Sequence, residues 1–258
     1  MGIAINRDNT VELLAFIVSA GKELVNKAGK VADIGIKKQW LTEEDIRIER
    51  GIKNIISKMP GKHEFFAEEE NDSFINSQSV WIADPISGTR LFIEGKPNYA
   101  IVVSHMAAGA IDFAIVYTPS ADKLYIADKI GVSVNDTRIT SIPADKKGII
   151  FAVSSGWQDN DLGDSLRKAL EQKYKVFPSQ GSFAVNYCLA AEGLFDGVVS
   201  LTKDAFPEFA GVFIANRAGL QATNIYGRKN ISQSDRVFVC GNENNYHDLL
   251  SITQGFTL

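Results

Sequence analysis

The chain is short of the features that mark several protein classes. It has only two cysteines, Cys188 and Cys240, which excludes a disulfide framework and a cysteine metal cluster. Both sit in apolar runs and read as reduced core residues. It has no surplus of positive charge: the formal net charge is −4, which argues against nucleic acid or an anionic membrane as a partner. No apolar run reaches about 18 residues, so no membrane span is expected. No basic segment followed by a continuous apolar stretch opens the chain, so no signal peptide is expected either. A cytoplasmic location is the resulting expectation. Repeats and low-complexity tracts are also missing. What is present is ordinary for a folded domain: 258 residues, 45% apolar and 22% charged, long enough to bury a core as one large domain or two lobes.

The hydrophobic pattern alternates between the two regular periods. Asn9 to Lys27 carries Val11, Leu14, Ile17, Val18, Gly21, Leu24 and Val25 at helical spacing, which predicts an amphipathic first helix. A second helix is predicted from Thr42, with Asp45 three residues on and a stripe of Ile48, Ile52, Ile55 and Ile56, ending before Pro60-Gly61. Short strands follow at Glu64–Ala67 and Val80–Asp84, then a hairpin of Tyr99–Ala107 and Ile111–Tyr117, and a strand at Leu124–Asp128. Pro143 to Lys147 reads as a boundary, dividing the chain into an α+β lobe over residues 1–145 and an α/β lobe over 146–258. In the second part, strands are predicted at Gly148–Val153, Lys175–Pro178, Gly197–Leu201 and Arg236–Cys240. Helices are predicted at Leu162–Gln172, Gly181–Ala191, Phe209–Ala218 and Asn244–Thr253. The order is mixed α/β, the pattern of helices layered on sheets.

Five spaced motifs stand out. Phe66-Ala67-Glu68-Glu69 ends a predicted strand, and Trp81-Ile82-Ala83-Asp84-Pro85-Ile86-Ser87-Gly88-Thr89 follows it. Next come Ile111 to Pro119 with Leu124 to Ala127, then Gly181-Ser182-Phe183-Ala184-Val185 through Ala191 to Gly197, and finally Phe209-Ala210-Gly211 through Arg217-Ala218-Gly219. Together, and in this order, they resemble the inositol monophosphatase family, whose signature W-x-x-D-P-I-D-G-T carries aspartate where this chain has Ser87. Several motifs in order are far more specific than one short pattern. The resemblance implies the αβαβα sandwich of the sugar phosphatases, Mg²⁺-dependent hydrolysis of a small phosphorylated molecule, a cleft completed by both lobes, and a homodimer.

Phosphomonoester hydrolysis needs a positioned water, an acceptor for its proton, and positive charge on the phosphate oxygens and the leaving group. Hard cations such as Mg²⁺ take oxygen ligands. The resemblance assigns the first metal site to Glu68, Asp84 and the backbone carbonyl of Ile86, and the orientation of the attacking water to Thr89 and Asp45. Two local alternatives stay open. Glu68-Glu69-Glu70 also reads as a solvated acidic loop, and Thr42-x-x-Asp45 also reads as a capping box. Gly88, Thr89 and the amides after them are candidates to hold phosphate at a helix start.

The family's second metal site draws on the shared Asp84 position and two further aspartates, which here are Ser87 and Pro207. Glu208 lies beside Pro207, but a one-residue shift at a helix start points its side chain elsewhere. Substrate positions change as well. The small residue facing the sugar is Phe183, and the acid that binds substrate hydroxyls is Ser200. These losses predict one magnesium site and a substrate other than inositol phosphate. Arg90 and Lys203 are candidates for fixed positive charge in place of the second ion, with Arg90 also readable as an outward-pointing residue. Two functional readings follow: a phosphatase running on a reduced site, and a pseudoenzyme that senses a phosphorylated ligand or binds another protein. His63, His105 and His247 are scattered and form no ligand or nucleophile pattern with the cysteines, and Trp40 and Trp157 read as packing or rim residues.

Overall fold

A computed structural model of the protein describes residue 5 and residues 10–36, 40–69, 77–139 and 148–256. Two helices come first, α1 (Val11–Lys27) and α2 (Glu43–Ile56). A seven-stranded sheet follows, in which β1 (Glu64–Ala67) runs parallel to β2 (Ser79–Ser87). The short helix α3 (Thr89–Ile93) leads to the antiparallel series β3 (Ala100–Ala107), β4 (Ala110–Thr118), β5 (Lys123–Ala127), β6 (Val132–Val134) and β7 (Thr137–Arg138), and the strands pair in sequence order.

The second half builds a five-stranded mixed sheet from β8 (Ile149–Val153), α4 (Asn160–Glu171), β9 (Val176–Pro178), α5 (Phe183–Ala191), β10 (Gly197–Leu201), α6 (Phe206–Arg217), β11 (Gln221–Asn224), β12 (Val237–Gly241) and α7 (Tyr246–Gln254). Its spatial order is β11-β12-β10-β8-β9.

The hydrophobic clusters give the layering. α1 and α2 pack on one face of the first sheet through Leu13, Ile17, Leu24, Ile48 and Ile52. α5 and α6 fill the space between the two sheets. α4 and α7 cover the outer face of the second sheet through Leu166, Leu170, Tyr246 and Leu249. This is the expected αβαβα sandwich. β2, β3 and β10 are buried along nearly their whole length, because layers cover both faces, so their apolar residues do not simply alternate with polar ones.

Most predicted elements appear, and the differences have physical reasons. The buried face of α1 is Leu13, Leu14, Ile17, Ala20, Gly21 and Leu24, while Val11 and Val25 are exposed. A set spaced by seven drifts off a straight 3.6-residue helix, so residues 11, 18 and 25 lie on its edge. α6 starts three residues earlier than predicted, with Pro207 in its first turn, where the missing N–H costs nothing. β6, β7 and β11 were not predicted, and α3 is the helix start expected after Gly88. His63 and His105 are not scattered: the Ser79 hydroxyl lies 2.6 Å from His63 Nδ1 and 2.8 Å from His105 Nε2, and Asp112 Oδ1 lies 2.6 Å from His105 Nδ1. Adjacent strands bring them together. The predicted boundary at residues 143–147 and Glu70 lie outside the described residues. Among the described residues, no helix is long and apolar enough to cross a membrane.

Gly21 shows how closely α1 sits on the sheet. A Cβ built there meets Tyr117 Cε1 at 2.3 Å and Cδ1 at 2.6 Å, and that ring is itself buried. Gly21→Ala is therefore expected to destabilise the protein by about 1–3 kcal/mol through overpacking, read as a lower urea midpoint with unchanged slope. A midpoint equal to or above that of the parent would contradict this packing.

Candidate active site

The site begins with the way β2 ends. Asp84 pairs with Val102 of β3 and Ser87 with Ala100, so β2 carries one extra residue between them. Pro85 lies in that bulge, where the strand does not require its N–H for the ladder. Bulges next to sites re-aim side chains. Gly88 then adopts φ 85°, a left-handed conformation that glycine takes without strain, and α3 starts at Thr89. The bulge and this turn bring Asp84, the Ile86 carbonyl, Ser87 and Thr89 to one end of the sheet.

There they line a cleft of about 590 Å³. Glu68, just after β1, lines it too, held by its own N–H donating to the Ala83 carbonyl at 3.1 Å. Gly88, Arg90, Phe183, Lys203, Pro207 and Trp40 complete the set of residues singled out in the sequence that lie on the lining. Arg90 is half exposed and pairs with Glu94 at 3.7 Å.

Asp45 forms the floor beneath Thr89. It is fully buried and completes a capping box: its Oδ2 accepts from the Thr42 N–H at 2.8 Å and from Thr42 Oγ1 at 2.6 Å. The same carboxyl reaches across to the cleft. Thr89 Oγ1 lies 3.3 Å from Asp45 Oδ1 and donates to the Ile86 carbonyl at 2.7 Å. Burial pushes the Asp45 carboxyl up to about 7, with hydrogen bonding from Thr42 opposing it and the charge of Glu69 adding to it.

The donor chemistry fits one magnesium ion. Two carboxylates, Glu68 and Asp84, and a backbone carbonyl, Ile86, share the cleft lining, all hard oxygen donors with two negative charges between them. The region of the family's second ion does not fit. Ser87 Oγ accepts from Ser182 Oγ at 2.7 Å, and Pro207 has no donor to offer. Glu208 is fully buried and absent from the lining, with Oε1 accepting from Ser200 at 2.9 Å. Ser200, expected on the substrate side, is likewise buried and off the lining, 3.0 Å from the Tyr187 hydroxyl. Among the described residues, no three His, Cys, Asp or Glu side chains gather to hold an ion.

The sequence reading gave Asp204 no role, yet it lines the cleft beside Lys203, and its Oδ1 accepts from the first N–H of α6 at 3.4 Å. Its only signal in sequence is an acid three residues before a helical proline. Asn98, Ser154 and Gln180 on the lining carry no sequence signal at all.

Burial also pushes the Glu208 carboxyl up, to about 8, against hydrogen bonds from Tyr187 and Ser200. The folded state thus favours the neutral acid, while the unfolded chain ionises near 4.5. Stability from this group is present below about 4.5 and declines as pH rises to about 8, by an amount on the order of a few kcal/mol. Glu208→Gln removes that decline. The Tm of the variant relative to the parent is expected to rise steadily between pH 5 and 8; a constant difference would contradict a neutral buried Glu208.

Comparison with known proteins gives a consistent result. Residues 10–255 match the inositol monophosphatase family. An inositol-1-monophosphatase from Rhizobium meliloti is 26% identical over 237 residues, covering 88% of this chain and 89% of that protein. An IMPase structure from Thermotoga maritima superposes with a TM-score of 0.83 at 22% identity, covering 97% of this chain and 98% of the other. An IMPase/NADP phosphatase complexed with Mg²⁺ and phosphate superposes with a TM-score of 0.77 at 19% identity, covering 94% and 92% of the two chains.

Proposed function

The chain belongs to the inositol monophosphatase family, and from that membership we propose that it is a magnesium-dependent phosphomonoesterase working with one metal site and on a substrate other than inositol phosphate. The observation that carries this reading is the shared lining: Glu68, Asp84, the Ile86 carbonyl and Thr89 face one cleft, and Asp45 lies under Thr89.

Glu68, Asp84 and the Ile86 carbonyl would hold the ion, which would supply positive charge to the phosphate oxygens and make a water more acidic. The chain's residues do the rest. Thr89 Oγ1 accepts a hydrogen bond from the attacking water and turns its own proton from the Ile86 carbonyl to Asp45 Oδ1, whose carboxyl, at about 7, is matched to neutral pH as an acceptor. The water oxygen bonds to phosphorus, the bond from phosphorus to the leaving oxygen breaks, and the leaving oxygen takes a proton from solvent in the open cleft. Gly88 and the N–H groups after it contact the phosphate.

Inositol phosphate is disfavoured because polyol hydroxyls need acceptors. The positions that supply them in the family are Ser87, Pro207 and Ser200 here, and Phe183 adds an apolar surface. The reduced metal chemistry also favours a second reading, in which the cleft binds a phosphorylated ligand without turning it over.

Phosphate release from a panel of phosphomonoesters across a Mg²⁺ titration separates the two. The proposal expects metal-dependent release that falls by roughly 10²–10³ in Asp84→Asn and in Thr89→Val, the scale of one lost electrostatic contact. Release no greater than that of Asp84→Asn, for every ester, would leave the binding reading in its place.

A further inference from the structure

The residues that replace the second metal site change the cleft's charge as well as its shape. Three cations line it: Arg90, Lys96 and Lys203. Arg90 and Lys96 both pair with Glu94, at 3.7 and 2.7 Å. Lys203 makes no ion pair among the described residues, which sets it apart from the other two.

Its placement is specific. Lys203 lies on the connection from β10 to α6, and its backbone N–H donates to Ser154 Oγ at 3.0 Å. Its stem lies flat on Gly156, where an added Cβ would come within 2.6 Å of Lys203 Cδ. The same cleft is lined by apolar Phe183 and Pro207 and by the hydroxyl-bearing Ser154, Ser155 and Thr202. The acid next to it in sequence, Asp204, is turned to the first N–H of α6. Glu208 is held neutral in the core with Ser200.

We propose that Lys203 is a specificity residue that binds a carboxylate on the leaving group of a phosphomonoester, in the volume where the family uses acids and a second ion. This deepens the one-metal phosphatase reading and rests on it. The size of the charge selects the ligand class. One lysine is a compact single positive charge, which one carboxylate matches, whereas a second phosphate brings about −1.5 to −2. A neutral polyol brings no charge to match the ammonium.

The test measures binding to the Mg²⁺-loaded protein by calorimetry, using phosphonates whose C–P bond is not hydrolysed: 4-phosphonobutyrate, 4-hydroxybutylphosphonate and butane-1,4-bisphosphonate. The carboxylate probe is expected to bind roughly tenfold tighter than the hydroxyl probe, the scale of a hydrogen bond to a charged group. That ratio collapses toward one in Lys203→Met and survives in Lys203→Arg. Lys203 is exposed, so neither change threatens the fold. Equal affinities in the parent protein, or an advantage that persists in Lys203→Met, would overturn the assignment while leaving the phosphatase reading intact. A bisphosphonate bound more tightly than the carboxylate would overturn the choice of carboxylate. Failure of all three probes to bind would instead sink the phosphate-cleft reading on which the proposal rests.

Discussion

The carboxyl group of Asp45 joins the start of α2 to the start of α3. One of its oxygens satisfies the start of α2, and the other meets the hydroxyl that opens α3. α2 is fixed on the first sheet by Ile48 and Ile52, and α3 is fixed by the bulged end of β2. Asp45 therefore transmits the rigidity of the outer helix layer to the floor of the cleft. Burial is what makes the contact useful: the same desolvation that raises the carboxyl to about 7 keeps water from competing for its hydrogen bonds. A group of this kind is costly to bury and is held only because both oxygens have partners.

On the reading proposed above, Ser87 and Pro207 stand where the second ion of the family would be held. Ser87 is tied to Ser182, Pro207 opens α6, and Glu208 is folded into a buried chain with Ser200 and Tyr187. Phe206, at the start of α6, lies 4.6 Å from Phe66, ring centre to ring centre. These changes support one another. Without a second ion, further carboxylates here would repel Asp84 and Asp204, and serine and proline at these two positions avoid that penalty. The wall that keeps Glu68 and Asp84 still matches the charge of one divalent cation.

Much of this was legible in the sequence because the relevant signals are local. Thr42-x-x-Asp45 announced a capping box, and it is one; the role of the same acid at Thr89, 44 residues away, came only through the family resemblance. Glu68, Asp84, Ile86 and Thr89 were named from motifs and share one lining. Ser200 was named from its motif position but is buried, because strand alternation alone does not say which face a neighbouring helix will seal. Glu208 was expected to point away from the cleft, and it does, since one step along α6 rotates a side chain by about 100°. The lack of an ion pair for Lys203 among the described residues and the meeting of His63 with His105 depend on pairings across strands and loops that no short window contains.

The central claim is that the chemistry rests on one cation held by Glu68, Asp84 and Ile86. Calorimetric titration of the metal-free protein with Mg²⁺ tests it without reference to any substrate. The account predicts one ion per chain, with binding abolished in Asp84→Asn and retained in Glu208→Gln. Two ions per chain, or binding that persists undiminished in Asp84→Asn, would contradict it.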